Sequence, residues 1–94
     1  MNIKDIELMI VKVGICRYGI KEYRVFICTS DTFNGTADYE DNDEICNDIK
    51  MVCYAVWFED MINKGRINTG MGQFKELGEA VNAVESSTGF VKWI

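Results

Sequence analysis

Apolar and polar residues alternate in two registers over the first third of the chain. In IELMIVKVGIC, Ile6, Leu8 and Ile10 share one phase, and Val11, Val13 and Ile15 share the other. Alternation with period two is a strand signal, and the phase switch near Ile10 predicts a bulge or a strand buried on both faces. RYGIK turns the chain at Gly19, and EYRVFICTS returns it, so the pattern predicts an N-terminal β-hairpin. With Gly19–Ile20 at the centre of the turn, Cys16 stands opposite Tyr23 and Cys28 lies far down the ladder. That register is incompatible with a Cys16–Cys28 disulfide.

The polar run DTFNGTADYEDND, with Asn34–Gly35 as a tight turn, reads as an exposed loop. Residues 43–64 support two readings. As one helix, acids fill the first turn, Ile45, Cys46, Ile49, Val52, Cys53 and Val56 follow helical spacing, and Gly65 caps the end. As a short helix and a strand, MVCYAVWF supplies a β-branched and aromatic run of strand length. The polar EDMINKG then turns the chain, with RINTG as the pairing partner. The second reading suits Tyr, Val, Trp and Phe better. In GQFKELGEAVNAVESSTG, Phe74, Leu77, Val81 and Val84 form one helical stripe, with Ala80 and Ala83 beside it. Gly78 inside that helix costs about 1 kcal/mol relative to alanine. FVKWI reads as a short terminal strand.

Ninety-four residues, 48% hydrophobic and 27% charged, make one globular domain with one modest core. The expected architecture is a single α+β domain spanning 1–94: a small antiparallel sheet, formed by the N-terminal hairpin and later strands, packed by one or two helices. An acidic loop or helix start lies at about 31–48. The longest apolar run, Met51 to Phe58, is too short to span a membrane, and Asp5, Glu7 and Lys12 interrupt any secretory signal core. Cys16, Cys28, Cys46 and Cys53 contain no C-x-x-C, and the chain has no histidine. Structural zinc frameworks are thereby excluded, and reduced, mostly buried thiols in a cytoplasmic protein are expected.

Charge is distributed unevenly. No Lys or Arg occurs between Arg24 and Lys50, and that gap holds seven of the fifteen acids, whereas the rest of the chain carries eight acids against ten bases. Direct binding of nucleic acid by this segment is disfavoured, because phosphate recognition needs a basic footprint. An EF-hand loop starting at Asp38 fails at its sixth position, Asp43, and its twelfth, Ile49. Carboxylates at Asp38, Glu40, Asp41, Asp43, Glu44 and Asp48, with Tyr39 among them as an aromatic anchor, point instead to a surface that docks on a basic protein. The alternatives are a solvated face that keeps the domain soluble, a divalent-cation or small-ligand site, and a structural module that forms homo-oligomers through strand edges.

No metal or cofactor is assigned. The glycines of GRINTGMGQF lack both nucleotide fingerprints, since no G-K-[ST] is present and Lys75 occupies the third glycine position of G-x-G-x-x-G. No catalytic residue is assigned either: histidine is absent, no spacing identifies a base for a cysteine nucleophile, and the adjacent Glu59 and Asp60 read as a polar turn. Trp57 and Trp93 are expected in the core, with Trp93 the nearer to an exposed edge.

In length, acidity, α+β make-up, lack of catalytic apparatus and an Ile/Lys/Asn-rich vocabulary without proline, the chain resembles the small phage-encoded inhibitors of bacterial defence, the anti-CRISPR type. The resemblance is one of size and charge over the whole chain and carries no motif. It implies a non-enzymatic inhibitor. Its Asp38, Glu40, Asp41, Asp43, Glu44 and Asp48 would occupy the nucleic-acid or target-recognition surface of a nucleic-acid-handling complex.

Overall fold

A computed structural model describes residues 2–33, 49–89 and 91–94. Five strands, β1 (Ile10–Tyr18), β2 (Lys21–Phe33), β3 (Ile49–Glu59), β4 (Ile67–Phe74) and β5 (Val91–Trp93), form one sheet in the order β4-β3-β2-β1-β5. Every neighbouring pair is antiparallel. One α-helix, α1 (Leu77–Thr88), is present among the described residues. The chain is therefore an α+β protein built on a small antiparallel sheet. No helix among the described residues is long and apolar enough to cross a membrane.

The sheet is covered on both faces, which explains four consecutive buried residues on β2. Val25 and Ile27 face α1 with Cys16, Val56, Ala80 and Val84. Phe26 and Cys28 face the opposite way, against Ile6 and Ile67, with Ile3, Ile10, Val13 and Trp57 packed around them. A strand buried on both faces reads as a continuous apolar run and loses its alternation.

Two boundaries of the first strand pair differ from the sequence reading. Residues Ile3–Asp5 and Glu7–Met9 form 3-10 turns, so β1 begins only at Ile10. The turns carry Ile6 under the sheet and leave Leu8 fully exposed. The ladder slips between Ile10 and Lys12, which accounts for the phase switch. Asp31–Phe33, read as loop, extend β2 past a second slip.

Residues 49–59 are a strand, which excludes one helix over 43–64. Cys53 and Val56 are both buried, because a central strand covered on both faces mimics helical spacing. The start of that segment, 43–48, lies outside the described residues. Gly72 and Phe74, read as helical, belong to β4, where Phe74 lies opposite Tyr54. The helix accordingly buries Ala80 and Val84, with Leu77 more than one-third exposed.

α1 ends at Gly89, which adopts φ 71° and donates its N–H to Glu85 O at 3.3 Å. A side chain in this left-handed conformation is strained. Gly89→Ala is expected to lower stability by about 1 kcal/mol in urea unfolding.

Candidate functional site

The acidic segment is rooted at one end of the sheet. Phe33 and Ile49 are cross-strand partners, as are Thr32 and Lys50. Residues 34–48 thus leave and rejoin a single strand pair, carrying six carboxylates and no base. Asp38, Tyr39, Glu40, Asp41, Asp43, Glu44 and Asp48 all lie outside the described residues. Their root is well tied. The Thr32 carbonyl accepts from Gln73 Nε2 at 2.9 Å and from Cys53 Sγ at 3.4 Å, joining β2 to β3 and β4. Lys75 Nζ stands 5.6 Å from the centre of the Phe33 ring, and Asp31 is exposed on the last turn of the ladder before the segment.

The most concentrated polar chemistry among the described residues is at the other end of β3. Ten residue steps at strand rise separate it from Ile49, roughly 30 Å. Glu59 is buried to 2% exposure at the end of an apolar run. Its Oε1 accepts from Arg24 Nε at 3.1 Å and from the Arg24 backbone N at 3.2 Å. Oε2 accepts from Arg24 Nη2 at 2.6 Å and from the Gly65 N–H at 2.9 Å. Lys64 Nζ lies 3.9 Å from Oε1, and its ammonium also donates to the Glu22 carbonyl.

Burial alone would raise the Glu59 pKa. The hydrogen bonds from Arg24 and Gly65, with the Arg24 charge, outweigh it and hold the carboxyl at about 2. The same contact raises Arg24. With both oxygens doubly bonded, Glu59 is not a base waiting for a substrate proton. It is a clamp that fixes the β3–β4 connection to β2.

Asp60, read together with Glu59 as a polar turn, does form one: its Oδ1 accepts from the Ile62 and Asn63 N–H groups at 2.8 and 3.1 Å. The two adjacent acids therefore have different tasks.

No family model, curated protein or solved structure matches the chain.

The site is thus read from its own chemistry. Cys16, Cys28 and Cys53 are buried and unpaired. Burial pushes the Cys28 thiol up to about 11 and raises Cys16 as well, which leaves both in the unreactive protonated form. No group of three Cys, Asp or Glu side chains converges on a metal position among the described residues. Cys46 lies in 34–48.

The sequence reading missed the Glu59–Arg24 clamp. The available signal was an acid directly following eight apolar residues, where a solvated turn has no need of one so close to a core strand.

Proposed function

We propose that the protein is a non-enzymatic binding module of the cytoplasm that inhibits a nucleic-acid-binding or nuclease complex by docking its acidic segment on that partner's basic surface. The observation that carries the reading is the closure of β2 and β3 at Phe33 and Ile49. It concentrates six carboxylates, with no compensating base, within fifteen residues fastened to one anchored strand pair. Local charge of one sign steers encounter with a basic partner and rejects acidic ones. Tyr39 supplies an aromatic contact of the kind enriched at interface centres.

The test compares the native protein with the variant Asp38→Asn, Glu40→Gln, Asp41→Asn, Asp43→Asn in pull-downs from lysate at low and high salt. The native protein is expected to capture a basic nucleic-acid-handling protein at low salt, and to lose it as the ionic strength rises past the screening range. The variant is expected to bind that partner at least about tenfold more weakly. Equal capture by both proteins rejects the acidic segment as the docking surface.

A further inference from the structure

Arg24 does more than hold Glu59. Its Nε–Nη2 edge is occupied by the carboxylate, while the side chain remains 45% exposed. It forms a wall of an open hollow of about 420 Å³ lined by Asn2, Ile3, Lys4, Arg24 and Gly65. No carboxylate is among the described residues that line this hollow. Glu59 is only 1% exposed and lines two other depressions, beside Tyr23. Asp5 accepts from the Asn2 N–H at 2.9 Å and lines a separate depression with Ile6 and Trp57.

Two cations therefore line one concave space, with the Glu59 and Asp5 carboxylates bonded to its lining residues but not themselves among them, in a protein of net charge −5. They differ usefully in kind. Arg24 is a planar donor held by Glu59, with its Cζ 5.4 Å from the centre of the Phe26 ring. Its Nη1 side is not used by Glu59. Lys4 is a flexible point charge that no ion pair holds among the described residues. The floor is rigid too: Ile3 donates to the Gly65 carbonyl at 3.0 Å, tying the N-terminal turn to the β3–β4 connection. A guanidinium held by a carboxylate and a lysine ammonium lining the same hollow suit a tetrahedral oxyanion, with one directional partner and one neutralising charge.

We infer that the hollow between Lys4 and Arg24 binds a phosphoryl group, as free phosphate or carried on a small organic molecule. The site lies at the end of the sheet away from the Phe33–Ile49 pair and is independent of the docking reading above. Glu59 serves it as a positioning residue, keeping the guanidinium from swinging into solvent.

The experiment is a titration of the labelled protein with inorganic phosphate, and separately with phosphoserine, at constant ionic strength. The Gly65 amide and Arg24 Nε–H resonances report binding. Saturable shifts at both are expected with at least one ligand, together with unchanged shifts when chloride replaces it. Lys4→Gln is expected to weaken binding about tenfold without unfolding the chain, since its side chain supports no contact in the core. Lys92→Gln, on β5, controls for loss of one positive charge and is expected to leave binding unchanged. Tighter binding of phosphoserine assigns the site to an organic phosphate, and tighter binding of phosphate to the free ion. The inference is overturned if neither ligand saturates, if chloride reproduces the shifts, or if Lys4→Gln and Lys92→Gln titrate alike.

Discussion

Arg24→Met is expected to lower the unfolding free energy by about 3 kcal/mol at pH 7, because it leaves the Glu59 carboxylate buried without its principal partner. That figure is the lower end of the range for breaking a buried pair, since the Arg24 side chain is partly in water whereas Glu59 is not. Most of the cost is the stranded charge, so Arg24→Met combined with Glu59→Leu should recover much of it.

The pair also predicts an acid limb. Glu59 titrates at about 2 in the folded chain against an ordinary 4.5. A depressed carboxyl stabilises the fold fully above its unfolded pKa and loses that contribution as pH falls through the folded one. About 3 kcal/mol should therefore be present above about pH 5 and gone below about pH 2. Urea unfolding of the native protein and the two variants, from pH 7 to pH 2, checks both statements. The native protein should lose its advantage over Arg24→Met across that window. A double variant less stable than Arg24→Met, or native and Arg24→Met curves that stay parallel to pH 2, would count against the clamp.

Gly14→Ala is the second large effect. Gly14 is buried on β1 opposite Trp93 of the edge strand β5. A Cβ there would stand 2.8 Å from Val91 Cγ2, and 2.9 and 3.0 Å from Cε3 and Cζ3 of Trp93. The Val91 side chain and the rigid Trp93 ring cannot retreat together without β5 moving off the sheet. The expected cost is about 1–3 kcal/mol. It should appear with a red shift of tryptophan emission, as Trp93 leaves its contact with the Lys12 ammonium, 5.2 Å from the ring centre, and meets water.

The same device recurs at the far edge, where Trp57 lies over Gly70 and a Cβ would meet its ring at 2.9 Å. Aromatic cover of a cross-strand glycine stabilises strands that lack a side chain at that point. Gly14→Ala with Trp93→Leu should restore part of the loss. A Gly14→Ala protein with native stability and unshifted emission would show that β5 does not depend on this contact.

These two features also mark how far the sequence could be read. The glycines in VKVGIC and INTGMGQF are plain in the sequence, but nothing local says that a tryptophan lies across each. Trp93 is seventy-nine residues from Gly14. Glu59 and Arg24 are thirty-five residues apart, and each sits in a stretch whose own pattern is satisfied without the other. Strand pairing, not periodicity, brings them together.

The helix boundary failed for a related reason. Phe74 fits the helical stripe through Leu77, Val81 and Val84, yet pairing with Tyr54 holds it in β4. Tertiary contact overrides a local preference that is only weakly expressed.

By itself the sequence determined the concentration of acidity between Arg24 and Lys50, and it pointed to the α+β class and favoured a strand over a helix for MVCYAVWF, because composition, charge and short-range alternation are properties of adjacent residues. It also determined the chemistry of residues 34–48, since a carboxylate is an acid wherever the chain goes. Only the tertiary structure decided that this segment is rooted on the Phe33–Ile49 pair, that Glu59 is buried rather than solvated, and that Lys4 and Arg24 share one hollow. Each of these depends on which strands lie side by side, and that choice is made by burying both faces of the sheet at once rather than by any one segment.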